Sequence, residues 1–265
     1  MNIQTPIETA PLLRHDAAGV AWLTLNRPAA RNALSSDMMS RLQAALTEIA
    51  GDASVRVVVI AGAGPGFCGG HDLREMRANR DQAFLDRLFA QCSALMTQIV
   101  RQPQPVIARV HGIATAAGCQ LVASCDLAVA STAAQFAVSG INVGLFCSTP
   151  MVALSRVVGR KAALEMLFTG AMVDAHRARE LGLVNTVVAP EALDDAVAAL
   201  AAAIAAKSRH AIGLGKEAFY RQAEMGLDEA YRYTASVMTC NMLADDAAEG
   251  IDAFFEKRAA HWKDA

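Results

Sequence analysis

The sequence predicts an α/β protein whose C-terminal portion is entirely helical. Three observations carry this reading. A β-branched strand, a glycine-rich turn and a helical stretch follow one another at residues 55–76 and again at 106–124. Residues 55–61, VRVVVIA, are apolar but for Arg56, the pattern of a strand buried on both faces. From Pro190 onward nothing is strand-like, and Ala-rich segments with helical periodicity cover 191–206, 212–225, 228–244 and 247–259. This composition shift divides the chain into a core, 1–190, and a helical region, 191–265.

Residues 19–25 alternate as a strand and lead into the turn Asn26-Arg27-Pro28. Ser35 or Ser36 caps a helix with Met39, Leu42, Leu46 and Ile49 on its apolar face. A loop at 62–66 and the stretch Phe67-Cys68-Gly69-Gly70-His71-Asp72-Leu73 enter a helix through Arg74, Glu75 and Met76. Residues 106–110 form a buried strand broken by His111-Gly112, and 119–123 form a short buried helix. Strands follow at 126–130 and 134–138, then a loop at 139–147. Ser148 or Thr149 with Pro150 reads as a helix start. Helices at 161–169 and 175–181 stop near Gly170 and Gly182, and 183–188 is a strand.

The segment around which these elements gather is Ala114 to Gly118, small residues at a helix start. The first N–H groups of a helix lack internal partners and sit at its positive end. An oxygen gaining negative charge is stabilised there, which is half of an oxyanion hole. The second glycine turn, at 69–70, would supply the other half if the two turns face each other. Small residues also suit close helix–strand packing, and the spacing alone is compatible with both readings.

Composition narrows the function. With 54% hydrophobic and 19% charged residues, the chain has apolar surface to spare for a large core and for contacts between subunits. A net charge of −2 provides no basic field for nucleic acid. The longest purely apolar run, 196–206, is too short to span a bilayer, and the first 19 residues lack the charged and apolar segments of a signal peptide. The six cysteines are scattered without a CxxC pair, so reduced thiols and a cytoplasmic location are expected. Neither GxxxxGK[ST] nor HExxH occurs, and no metal site is expected.

An ordered set of motifs resembles the enoyl-CoA hydratase/isomerase (crotonase) superfamily over nearly the whole chain. It comprises Leu25-Asn26-Arg27-Pro28, Asn32-Ala33-Leu34, Gly69-Gly70-His71-Asp72-Leu73, Gly118-Cys119-Gln120-Leu121, Cys125-Asp126-Leu127, Leu167-Phe168-Thr169-Gly170 and Phe254-Phe255-Glu256-Lys257-Arg258. The combination of Gly-Gly-His-Asp-Leu with Gly140-Ile141-Asn142-Val143-Gly144-Leu145-Phe146-Cys147 is similar to the branch of enoyl-CoA hydratase domain-containing protein 3. The resemblance implies a crotonase-like spiral of ββα repeats with a C-terminal all-helical oligomerisation region. It implies a homotrimer or homohexamer and an acyl-CoA thioester as ligand, with coenzyme A part of the substrate and no separate cofactor.

Carried over residue by residue, the resemblance puts the two oxyanion N–H donors at His71 and Ala117. It puts Asp72, Leu73 and Arg74 along the coenzyme A site, and makes Arg31, Lys257 and Arg258 candidates for its phosphates. At the positions of the two glutamates that hydratases of this family use on water, the chain has Gln120 and Gly140. Neither titrates. Gln120 retains hydrogen bonds for a water, and Gly140 is expected to leave space where a carboxylate would sit. Some relatives, the naphthoyl-CoA synthases, also have Gly there and use a bound bicarbonate as base; the Gln that helps hold it corresponds to Val138 here, which argues against that route. The His71 imidazole is a candidate replacement acid or base, against the simpler reading that only its main-chain N–H matters. Two functions are therefore expected: an enolate-type acyl-CoA enzyme (hydratase, isomerase or thioester hydrolase), or a non-catalytic acyl-CoA-binding oligomer.

Overall fold

Strand β1, Leu12–Ala17, turns back on β2, Val20–Leu25, through Ala18 and Gly19. Both turn residues have positive φ, +50° and +77°, as a two-residue hairpin of matching twist requires. The computed structural model describes residues 10–264. The leader reading falls partly on residues 1–9, outside the described residues.

Helix α1, Ser36–Gly51, starts at Ser35, whose hydroxyl accepts the Met38 N–H at 3.3 Å, and buries Met38, Met39, Leu42, Leu46 and Ile49. Then come β3, Val57–Gly62; β4, Gly66–Cys68; α2, Leu73–Ala78; and α3, Gln82–Arg101. Next are β5, Val106–Val110; β6, Ile113–Thr115; α4, Ala117–Ser124; β7, Leu127–Ser131; and β8, Gln135–Ala137. After a 3-10 turn at Ser139–Val143 the chain forms α5, Ser148–Val157; α6, Arg160–Thr169; β9, Val173–Asp174; α7, Ala175–Glu180; and β10, Thr186–Val188. Four helices complete it: α8, Leu193–Ala205; α9, Arg209–Gln222; α10, Leu227–Met242; and α11, Asp245–Glu256.

The long strands form one sheet in the order β1-β2-β3-β5-β7-β10, parallel from β2 onward. The short ones form a second sheet, β4-β6-β8-β9. After the β1–β2 hairpin, the pairs β3/β4, β5/β6 and β7/β8 each lay one strand in each sheet before the next helix, which is the expected spiral of ββα units. Alternation along β3 divides its side chains between two cores. Val58 and Ile60 join the main core with α1, α3 and α4, whereas Val57 and Val59 pack with Ile107 and Val129 under Leu193, Val197 and Ala201 of α8. The first helix past residue 190 thus covers the sheet's second face. No single described helix is long and apolar enough to cross a membrane.

The observed elements depart from the sequence expectations in three places. The 20-residue α3 and the first strand, β1, have no counterpart among them. The three-residue β4 and β6 lie where only turns were expected; so short a strand leaves no alternation to read. Helix α5 begins at Ser148 with Cys147 in the cap position, so Ser148 and Thr149 lie inside its first turn and supply no side-chain cap.

Asn32 ties the loops that shape the site. It is fully buried in the left-handed region, at φ +53°. Its carbonyl oxygen accepts the Arg27 N–H at 2.8 Å. Its amide donates toward the carbonyls of Ala63 (2.9 Å), Gly66 (2.9 Å) and Phe67 (3.1 Å). Asn32→Ala strands three carbonyls and one N–H in the interior, and is expected to cost about 2–4 kcal/mol in urea unfolding. A cost within measurement error would show that Asn32 is not the tie.

Candidate active site

The site forms where the two glycine turns meet. Leu34 bridges the chain at His71 in parallel fashion: its N–H donates to the Gly70 carbonyl at 2.8 Å, and its carbonyl accepts the Asp72 N–H at 3.4 Å. In such a bridge the paired residue's own N–H points the other way, so the His71 N–H turns from Leu34. Gly70, at φ +96°, lies against the start of α4; a Cβ there would be 3.0 Å from the Ala116 Cβ and 3.3 Å from the Ala117 nitrogen. Gly118 is closer still, since a Cβ on it would stand 2.1 Å from the Cys68 carbonyl oxygen. Only glycine allows the first turn of α4 to press on β4 this tightly.

Ala116 enters α4 at φ +49°, ψ −118°, a conformation that is costly for a residue with a Cβ, on the order of 1–3 kcal/mol. It is held there by its N–H bond to the Ala137 carbonyl at 2.8 Å, and next to it Thr115 Oγ1 donates to the Gly69 carbonyl at 3.1 Å. The turn leaves the Ala117 N–H as the first orphan donor of α4. Among the described residues neither the His71 N–H nor the Ala117 N–H has an acceptor. The structure thus brings together two free main-chain donors from the two turns.

Helix α3 packs one face against the side chains next to these donors. Phe89 meets the His71 ring edge-on at 5.5 Å, and one turn later the Cys92 thiol lies 3.8 Å from the Gln120 side-chain oxygen. Gln120 is buried one turn beyond Ala117. The His71 Nε2 is buried without a partner. Burial holds the imidazole's pKa below its ordinary value, with Glu75 opposing in part. Burial also pushes the thiols of Cys68, Cys92 and Cys119 up to about 12 and raises that of Cys147, so none is a ready nucleophile.

Gly140 does not leave the space expected of it. Its carbonyl accepts the Leu145 N–H at 2.9 Å, and its N–H donates to Cys147 Sγ at 3.3 Å. A Cβ there would lie 2.5 Å from the Leu145 oxygen and 2.8 Å from Cys147 Sγ. The 140–147 loop has closed over Gly140.

The coenzyme A candidates separate. Arg31, exposed at φ +51° beside Gly69, has no ion partner among the described residues. Leu73 and Arg74 open α2 and are exposed. Asp72 is engaged instead in structure: it caps α2 through the Arg74 and Glu75 N–H groups and pairs with Arg27 at 3.1 Å. Arg258 is likewise engaged, by Glu249 at 2.5 Å and Glu256 at 2.6 Å. The Arg258 guanidinium holds the Glu249 carboxyl down to about 2. Lys257 is the left-handed residue ending α11, and no described hydrogen bond or ion pair joins it or Arg258 to Arg31 or α2.

Two further polar side chains hold loops. His111 Nε2 bonds the Gly64 carbonyl at 2.8 Å, and Asn142 donates to the Gly170 carbonyl at 3.3 Å. Sequence reasoning missed Arg27 and Phe89. Arg27 stood only in a turn and in the Leu25-Asn26-Arg27-Pro28 motif, with no role attached to its side chain, and Phe89 lies in the unassigned helix. Among the described residues no group of three His, Cys, Asp or Glu is placed to hold a metal.

Comparison with known proteins agrees with this architecture. The enoyl-CoA hydratase/isomerase family profile matches residues 15–265. Enoyl-CoA hydratase domain-containing protein 3, mitochondrial, of Xenopus laevis is 44% identical over 263 residues, covering 99% of this chain and 90% of that protein. A crystal structure of an enoyl-CoA hydratase from Mycobacterium smegmatis superposes with a TM-score of 0.94 at 58% identity, covering 96% of this chain and 99% of the other. The human enoyl-CoA hydratase domain-containing protein 3 structure gives 0.93 at 44% identity, covering 96% and 100%.

Two outcomes test the site's geometry. In an NMR titration the His71 imidazole is expected to protonate with a midpoint below 6.5, because burial favours its neutral form. By linkage, its contribution to stability is complete above pH 6.5 and is lost as pH falls toward the folded midpoint. A midpoint at or above 6.5 contradicts the burial. Gly140→Ala is expected to destabilise the fold by about 1–3 kcal/mol in urea unfolding, since the loop must give way to the new methyl; a neutral change would mean the loop is open.

Proposed function

The chain belongs to the enoyl-CoA hydratase/isomerase family, and from that premise we propose that it binds acyl-CoA thioesters and polarises their carbonyl without hydrating by the two-carboxylate route. The thioester oxygen would sit between the His71 and Ala117 N–H groups. Such donors act on an oxygen whose negative charge grows as an enolate forms, and one of them contributes on the order of 10²–10³ in rate.

The observation that carries this reading is the pairing of two free donors with the loss of both carboxylates. Gln120 offers an amide, and Gly140 is roofed by Leu145 and Cys147. Adding water across an enoyl double bond requires a base for the water proton and an acid for the α-carbon. General acid–base assistance contributes roughly 10²–10⁴ per group. Without it, binding and carbonyl polarisation are what the site retains. The closed loop also argues against a bicarbonate standing in for the second carboxylate.

A second reading, enolate chemistry with another proton carrier, draws on the unpartnered His71 Nε2, a neutral nitrogen beside the donors. Arg31 is the phosphate ligand we assign from within the chain, and Lys257 would serve only across a subunit contact. A trimer, or two stacked trimers, fits the apolar side chains that α9–α11 leave exposed, among them Phe219, Tyr231, Leu243, Phe254 and Phe255. All six thiols are free, which suits a reducing compartment such as the cytoplasm.

The test pairs calorimetric titration with butyryl-CoA and an absorbance assay of crotonyl-CoA hydration. Saturable binding is expected, with hydration roughly 10⁴-fold or more below that of a relative with both glutamates. Hydration at the relative's rate would refute the loss of the carboxylate route, and absence of binding would refute the reading altogether. Should isomerase or hydrolase turnover be found, its survival in His71→Ala would remove the imidazole as proton carrier.

A further inference from the structure

Three segments that frame the site converge on one ammonium group. Lys216, in the middle of α9, is largely withdrawn from solvent, with its side chain 9% exposed. Its Nζ donates to the Ile99 carbonyl at 3.2 Å, the Gln104 carbonyl at 3.1 Å and Asp126 Oδ2 at 2.6 Å. An ammonium has three protons, and each here has an acceptor. Ile99 lies in the last turn of α3, Gln104 in the linker to β5, and Asp126 between α4 and β7. Asp126 in turn accepts the Val106 N–H at 2.7 Å and the Tyr220 hydroxyl at 2.9 Å. Burial lowers the lysine's pKa, and the adjacent carboxylate opposes this.

Both helices tied by this group carry the site. Upstream on α3 are Phe89, against the His71 ring, and Cys92, against Gln120. Helix α4 supplies Ala117 at its start and Gln120 within it. We propose that Lys216, with Asp126 and Tyr220, is a positioning group: it fixes α3 relative to α4, and through them the placement of the His71 ring, the Gln120 amide and the Ala117 N–H around the thioester. Tyr220 stacks edge-on with Phe219 at 5.4 Å, and Phe219 is 64% exposed on the outer side of α9. The clamp therefore lies one residue from the apolar surface of the helical region and joins that region to the site.

A role in stability alone predicts something different, and two variants of the full chain separate the two. Lys216→Met leaves the Asp126 carboxylate buried and unpaired, so Tm falls. It is also expected to raise amide exchange in α3 and α4 while leaving β1, β2 and α1 unchanged. Butyryl-CoA affinity should drop on the order of ten- to a hundredfold from misplacement at a distance. In Lys216→Met/Asp126→Asn no lone charge remains, and Tm should return toward that of the parent. The faster exchange in α3 and α4 and the weaker binding should persist, because the carbonyl clamp is still missing. Recovery of exchange and affinity together with Tm overturns the proposal, as does exchange altered only in α9. The affinity arm rests on the thioester reading and the exchange arm does not. If the parent protein binds no butyryl-CoA while α3 and α4 loosen as expected, the thioester reading fails and the positioning role stands.

Discussion

The close contact between β4 and the first turn of α4 is the constraint on which the site depends. A Cβ on Gly118 would stand 2.1 Å from the Cys68 carbonyl oxygen, and one on Gly70 would stand 3.3 Å from the Ala117 nitrogen. Two glycines thus let two stretches of main chain approach as no other residues would. The approach puts next to each other two main-chain segments that belong to different ββα units, far apart in sequence. Its local cost is the conformation of Ala116, and its support is the Asn32 amide holding three carbonyls of the 63–67 loop.

Chemistry at this junction is set by what surrounds the donors. Main-chain N–H groups are present whatever the side chains, so the donors proposed to polarise a carbonyl withstand substitution. Proton transfer depends on side chains: Gln120 cannot titrate, and Gly140 has been covered by its own loop. A carboxylate restored at 140 would meet Leu145 and Cys147 before it met a substrate. The absence of a carboxylate at 140 is therefore built into the loop's path as well as into one residue type.

Much of the fold was legible in the sequence because long buried strands and amphipathic helices leave periodic marks. Residues 55–61 read as buried on both faces, and β3 indeed divides Val57 and Val59 from Val58 and Ile60 between two cores. The three-residue strands of the second sheet leave no such mark. The site was legible as a pair of glycine turns, yet the space at Gly140 was misjudged. A glycine in a sequence does not tell whether the volume beside it is empty or filled by a loop returning from five residues away. Arg258 and Asp72 show the same limit. By position Arg258 suited a phosphate and Asp72 the lining of the coenzyme A site, but their partners, Glu249, Glu256 and Arg27, are set by tertiary contacts.

The helical region extends the core: α8 covers the sheet's second face and α9 reaches inside through Lys216. Everything proposed for the thioester nonetheless depends on the two main-chain donors at His71 and Ala117. Isotope-edited infrared spectroscopy of butyryl-CoA labelled with carbon-13 at the thioester carbonyl measures their action directly. The account predicts that the carbonyl stretch moves to lower frequency on binding, as two hydrogen bonds draw electron density onto the oxygen. A bound thioester whose carbonyl absorbs at its frequency in water would contradict it.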